Sequence, residues 1–399
     1  MVLAERTPLR RDSGRECAPV AGRGRADQRG RQAGRVLGRI EKRSTGEQPV
    51  ERTNPLRVCY TRGDAIESEH EAAIAVADSQ GRLVAAAGDP DLFAYFRSSA
   101  KPFQAIPLVE SGAADAFGFT ASELAFCCSS HYGEAGQQQS VVTMLEKIGA
   151  EPGLLQCGAA PPLDGAELAR VSLGLVDATP LQNCCSGKHA GMLATCLYLG
   201  YPTESYLSPE HPLQRQILEI VADAMQVDPA AVSLAVDGCS VPTFGARLTD
   251  FARAYAALAA PAQSPSARMR MHESAVARLL GAMAAYPENI AGPGSIDTEL
   301  MRLSNGSVVA KIGAEGLLCL AVPAHELGIA IRIHDGSYRG LNVLAVSVLE
   351  QLVLVEPTVL TAMRSELVQP VINANGWTVG EVRTNLVLER AAVADAISA

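Results

Sequence analysis

The chain has 399 residues, 48% of them hydrophobic, and a formal charge of −9, so it can bury a large core in one large or two smaller domains and reads as a soluble globular protein. An uninterrupted apolar run of about eighteen residues, the length a spanning helix needs, does not occur. The nearest stretch, "GLLCLAVPAHELGIAIRI", is broken by Pro323, His325 and Glu326.

The first fifty or so residues are Arg-rich, while the rest of the chain is acidic. The opening, "MVLAERTPLRRDSGRECAPVAGRGRADQRGRQAGR", lacks the apolar core of a secretory signal; Arg10 and Arg11 are not followed by a hydrophobic segment, and Asp12, Glu16 and Asp27 interrupt any mitochondrial address. Without interleaved aromatics it is a poor nucleic-acid surface. Residues 1–54 are therefore expected to be a basic, disordered extension, and residues 55–399 a single catalytic domain in the cytoplasm. The ten cysteines, Cys17 to Cys319, are scattered through a long chain, which favours reduced thiols with a metal site among them over a disulfide frame.

Regular patterning begins near Leu56. "DSQGR" supplies the turn of a hairpin between Ala73–Ala77 and Leu83–Ala87. The middle of the chain then takes a helical period. "SPEHPLQRQILEIVADAM" opens with Ser and Pro at helix-entry positions, and "ARLTDFARAYAALAAP" and "SARMRMHESAVARLLGAMAAYP" are each closed by proline. Three short apolar runs in "SVVAKIGAEGLLCLAVPAHELGIAIRIHDG" read as strands, and "LNVLAVSVLEQLVLV" as a final helix. Strands at both ends and helices between them predict an α+β fold, with one antiparallel sheet built from both ends and flanked by helices.

Three constellations carry chemistry. In "YFRSSAKPFQAIPLVESG", Ser98 and Lys101 are three apart, so a helix starting near Ser98 puts Oγ and Nζ on one face; Pro102 is tolerated only in a first turn. By chance a chain of this length yields one S-x-x-K on the order of once, and a capping serine with a solvated lysine is the plain alternative. A free lysine is only about one part in a few thousand neutral at pH 7, so a basic Lys101 needs burial or a nearby cation; lowering its pKa to near neutrality costs roughly 4 kcal/mol. Second, Ser130 in "FCCSSHYGE", and Lys311 with Gly313 in "VVAKIGAEG", follow in the order of a serine hydrolase that uses a loop serine and a strand lysine. Third, "NCCSGKHAGMLATC" and "VDGCSVP" bring Cys185, Lys188, His189, Asp237 and Cys239 forward as candidate zinc ligands or neighbours, although a lysine must lose its proton to bind a metal. A buried cysteine and a core histidine explain that segment equally well.

Taken together, "RSSAKPFQAIPLVESGAADAFG", "CCSSHYGE", "CCSGKHAGMLA", "DGCSVPTF" and "AKIGAEG", with "RGDAIESEH" and "IHDGSYRG", resemble the Rhizobium etli type L-asparaginase II family from about Arg57 to beyond Gly340. The resemblance implies a serine β-lactamase or penicillin-binding-protein-like fold, a homodimer, and hydrolysis of L-asparagine to L-aspartate and ammonia. It places nucleophile and base on Ser98 and Lys101, a second pair on Ser130 and Lys311, and zinc that supports substrate binding on Cys185, Lys188 and Cys239. Arg97, Asp237, His189 and Gly313 are then expected around the substrate, with the Ser98 N–H and one near Gly313 as oxyanion donors. "HYGEAGQQQS" departs from the pattern by lacking a histidine that often follows the glutamate. Another serine–lysine hydrolase (a β-lactamase, a peptidase or a glutaminase) and a non-catalytic zinc- or substrate-binding protein are the alternatives.

Overall fold

The described residues enter the largest sheet at once. The structure, a computed structural model, describes residues 55–390; the basic stretch 1–54 and residues 391–399 lie outside the described residues. Strands β1 (Arg57–Arg62), β2 (Ala65–Asp78) and β3 (Leu83–Ala87) come first, then β4 (Phe93–Tyr95), β5 (Ser233–Val236) and β6 (Pro242–Arg247), which form a small sheet of their own in the order β4-β6-β5. Next come β7 (Val309–Gly313), β8 (Leu317–Val322) and β9 (Leu327–Ile333), and finally the short strands β10 (Val371–Ile372), β11 (Thr378–Gly380), β12 (Val382–Thr384) and β13 (Glu389–Arg390). The large sheet runs β12-β1-β2-β9-β8-β7, with β3 on β2 and β13 on β3, every pairing antiparallel.

This is the expected α+β arrangement, in which early and late strands complete one sheet and the helical middle is an insertion. The "DSQGR" hairpin forms, pairing Ile74 with Ala87 and Ala77 with Leu83. Gly81 N–H donates to Asp78 O at 2.8 Å and Arg82 N–H to Asp78 Oδ1 at 2.9 Å, so Asp78 closes the turn with both backbone and side chain. Among the described residues no helix is long and apolar enough to cross a membrane, and no disulfide joins the cysteines.

Two helices differ in detail from the sequence reading. The helix Pro212–Met225 is capped by His211, whose Nδ1 accepts from Leu213 N–H at 3.2 Å, rather than by Ser208. The predicted "SARMRMHESAVARLL" helix is divided at His272 into Ala267–Met271 and Glu273–Ala285, and the buried His272 ring at the division is bonded to Glu110 of another helix.

The helix Leu248–Ala259 ties insertion to sheet. It packs on β9, β8 and β2, and Gly328 makes that approach possible: a Cβ there would lie 2.1 Å from both Ala252 O and Ala256 N. Antiparallel register fixes which residues share the face beneath this helix. Lys311, Cys319, Ala330 and Ala75 form one cross-strand row; Gly313, Leu317, Arg332 and Ala73 form the next row toward the sheet's end.

Candidate active site

Ser98 sits in a 3₁₀ turn, Arg97–Ala100, that leads into the helix Lys101–Glu110. The turn is pinned from three sides. Phe96 stacks on Phe251 with centroids 4.4 Å apart, and its N–H donates to Phe244 O at 2.7 Å. Tyr255 Oη donates to Ser99 O at 2.9 Å, and Ser99 Oγ donates to Lys311 O at 2.9 Å. Arg97 absorbs the sharpness of the bend with a left-handed φ of +48°, a strain of about 1–3 kcal/mol for a non-glycine residue. Its N–H bond to Thr243 Oγ1 (3.2 Å) and its Nε bond to Asp237 Oδ1 (2.5 Å) hold it there.

Lys101 is 1% exposed. Its backbone N–H donates to Ser98 O, so the two residues stack on one face as their spacing predicts. Its amine, however, is not hydrogen-bonded to Ser98: Nζ donates to Ser130 Oγ at 2.8 Å and to Ser129 O, with Cys184 O at 3.5 Å. The expected Ser98–Lys101 contact is thus replaced by one to the second serine. A buried amine needs acceptors, and the loop after the helix Ala121–Cys127 offers them. Ser130 is fixed in turn by its N–H bond to Ile290 O at 2.7 Å.

Behind Ser130, the buried His131 donates from Nε2 to Ser186 Oγ at 2.7 Å, since that hydroxyl itself donates to Leu181 O, and its Nδ1 accepts from Gly133 N–H. Burial, with the Lys101 charge nearby, pushes its pKa down to about 4, so the ring is neutral.

Lys311 does not reach Ser130. It is fully buried in an ion pair with Asp297, Nζ to Oδ2 at 3.2 Å, and also donates to Ile312 O at 3.0 Å. That corrects the expected Ser130–Lys311 proton relay: a lysine sealed in the strand needs a counter-charge, and Asp297 supplies it. Asp297 accepts further bonds from Ser295 Oγ (2.6 Å), Thr298 N–H (3.1 Å) and Ile312 N–H (3.2 Å). Burial alone would raise its pKa; the Lys311 charge and these bonds hold it below the ordinary carboxylate value. Lys311 is lowered, chiefly by burial, with Asp297 opposing and Lys101 adding to the effect.

Ser98, Ser130 and Gly313 line one cavity of about 480 Å³, with Tyr132, Cys184 and Tyr338 around them. Gly313 lets edge strand β7 approach the serine turn, because a Cβ would fall 2.9 Å from Ser99 Oγ and 3.1 Å from Phe96 O. Arg97, Asp237, His189, Cys185, Lys188 and Cys239 are not in the cavity lining. Sequence reasoning missed Asp297, Tyr132, Cys184 and Tyr338. Asp297 alone left a signal, an acid early in a helix that a buried strand lysine would require as partner.

The cysteine cluster forms beside this cavity. Cys185 immediately precedes the helix Ser186–Leu199, and Lys188, one turn on, donates from Nζ to Cys239 Sγ at 2.9 Å. Cys184 and Cys185 sulfurs are 3.9 Å apart. Asp237, held by Arg97, also accepts from Cys239 Sγ at 3.5 Å. Hydrogen bonds from Cys184 and Cys239 draw the Cys185 thiol well below its ordinary value. Lys188 is raised despite its burial by the Cys239, Cys185 and Asp237 charges. His189 is fully buried, its Nδ1 bonded to Tyr206 Oη at 2.7 Å; burial, then the Lys188 charge, lowers it well below its ordinary value.

Among the described residues no three His, Cys, Asp or Glu side chains converge as a ligand set. Two sulfurs and the Lys188 amine nonetheless make a donor set that fits a soft divalent ion, once the lysine is deprotonated.

No curated protein matches the chain. Among solved structures, the chain is similar to Mglu in its native form in the presence of 4.3 M NaCl, at 19% identity and TM-score 0.38 over 71% of this chain, and it spans 61% of that protein's length. It is also similar to a β-lactamase (Mb2281c) from Mycobacterium bovis, at 16% identity and TM-score 0.37 over 70% of this chain and 94% of the other. A putative β-lactamase from Bacteroides dorei DSM 17855 aligns at 12% identity and TM-score 0.35, over 71% and 87%. The L-asparaginase II family model matches residues 58–384, and the chain belongs to that family.

Proposed function

We propose that the protein is a serine amidohydrolase that converts L-asparagine to L-aspartate and ammonia through an acyl-enzyme on Ser98. The observation that carries this reading is the convergence of Ser98, Ser130 and Gly313 on one cavity, with the buried Lys101 bonded to Ser130. An uncharged amine has two N–H bonds, enough for Ser129 O and Ser130 Oγ together, and a lone pair left for the Ser98 proton. Ser98 Oγ then attacks the side-chain amide carbon while Lys101 takes its proton. The Lys101–Ser130 contact gives that proton a path to the departing nitrogen, and ammonia leaves. Water, deprotonated by Lys101, opens the ester and restores Ser98. Backbone N–H groups of Ser98 and Gly313 are the proposed oxyanion donors, and Lys311 with Asp297 acts as a fixed charge pair rather than a proton carrier.

Cys185, Lys188 and Cys239 would hold zinc, which when bound would supply a Lewis-acid site for a donor group of the substrate. The family resemblance also supports a homodimer, checked by light scattering, and the free cysteines suit a reducing compartment such as the cytoplasm. In this reading 55–399 is the catalytic domain, so protein lacking 1–54 keeps its activity.

Wild type should release ammonia from L-asparagine and Ser98→Ala should not; equal release by both ends the serine mechanism.

A further inference from the structure

Three cations, Arg97, Lys311 and Arg332, stand on elements next to the serine turn and Gly313 but outside the cavity lining, and the first two are matched by acids. Arg97 is bound to Asp237, and Lys311 to Asp297. Arg332 is different. It is half-buried on β9, and among the described residues it makes no ion pair or side-chain hydrogen bond. Its place follows from the register, in one cross-strand row with Gly313 and Leu317 on the face that carries Lys311. Alternate strands are about 9–10 Å apart, so a guanidinium on a long stem can lean across Leu317 toward the cavity at Gly313. The charges and polar groups it feels are Glu315, Tyr338, Arg97 and Asp335, of which Tyr338 lines the cavity.

Asp335 is already bonded to His70 at 2.7 Å. Glu315, on the turn between β7 and β8, has its Oε2 against Gly336, 2.8 Å from where a Cβ would be. Burial foremost, with Arg97 adding, lowers Arg332 from its ordinary value, and Glu315 opposes that.

We propose that Arg332 is a specificity-determining residue that receives the free α-carboxylate of the amino-acid amide entering the Ser98 cavity. Leaving a guanidinium half-desolvated and unpaired costs stability unless an anion arrives to pair with it, and Arg97 is already committed to Asp237. The inference rests on the reading of the cavity as that of a small-amide hydrolase. It predicts discrimination between L-asparagine and its α-amide, which keeps the amino group and both side-chain amide atoms but has a neutral group where the carboxylate was.

The test is a binding comparison by calorimetry in the Ser98→Ala protein, which needs no turnover. Adding Arg332→Gln should weaken L-asparagine binding roughly 10- to 100-fold, adding Arg332→Lys should weaken it less, and binding of the α-amide should hardly change. Circular dichroism checks that each variant is folded. Unchanged L-asparagine affinity in Arg332→Gln overturns the proposal, and so does an equal loss for both ligands, which marks a structural role. Failure of wild type to release ammonia overturns the hydrolase reading separately and leaves the binding comparison to decide on Arg332.

Discussion

The serine side and the cysteine side of this site each bury a lysine, and the two are matched by different chemistry. Lys311 faces a hard carboxylate, Asp297, and is lowered because burial outweighs the pairing. Lys188 faces sulfur, and is raised because two cysteines and Asp237 together outweigh a comparable burial. Between them lies Lys101, which has no ion pair among the described residues and is bonded to a hydroxyl and carbonyl oxygens. The difference teaches which lysine can move a proton. Lys188 is held in its ammonium form by its partners and Lys311 is turned onto Asp297, so Lys101, bonded to Ser130, is the one placed to exchange protons with serines.

The largest effect that tests this contrast is on turnover. Lys101→Met should reduce kcat by roughly 10²–10⁴-fold, the range for removing a general acid–base group, while Lys311→Met should lower kcat less and leave the basic limb of the pH–rate profile in place. Steady-state ammonia assays of the two variants decide it; equal losses would return Lys311 to the proton path.

Next in size is the cost of breaking the fixed pair. Asp297→Asn leaves the Lys311 ammonium buried without its counter-charge and should destabilise the fold by about 3–5 kcal/mol. Urea denaturation should show the double variant Asp297→Asn/Lys311→Met to be less destabilised than Asp297→Asn alone, since both charges are then gone.

His131 gives a smaller, pH-dependent effect behind Ser130. Its folded pKa of about 4 lies below the ordinary 6.5, so above pH 6.5 the ring is neutral in both states and its contribution is intact. Between about 6.5 and 4 the unfolded chain takes up a proton that the folded chain refuses, and stability falls by roughly 3 kcal/mol in total. Denaturant midpoints from pH 7 to 4 should fall less steeply for His131→Gln than for wild type.

The strands and helices are legible in the sequence because their patterns are local: the "DSQGR" turn, the period of "LQRQILEIVADAM", the apolar runs around Lys311. The order Ser98, Lys101, Ser130, Lys311, Gly313 is legible as spacing and sequence of motifs. Pairings between side chains distant in the chain are not. Spacing points Lys101 at Ser98 three residues away, yet its amine lies against Ser130, because acceptor oxygens on a distant loop decide where a buried amine goes. Asp297 is fourteen residues before Lys311, in a helix whose first turn attracts acids anyway, which hides its partner. Arg332 is inconspicuous inside an apolar strand, since only cross-strand register shows that it shares a face with Gly313.

The smallest effect belongs to the cysteine side. If Cys185, Lys188 and Cys239 serve substrate binding and take no part in bond breaking, Cys239→Ala should raise KM about tenfold, a loss of uniform binding, and keep kcat within a few-fold. Lys188 loses its sulfur acceptor at 2.9 Å in that variant, so its ammonium is less anchored and metal uptake, read by zinc titration, should fall in parallel. A drop in kcat as deep as that of Lys101→Met would instead place the cysteine side in the reaction itself, and the division between a mobile lysine and two fixed ones would fail.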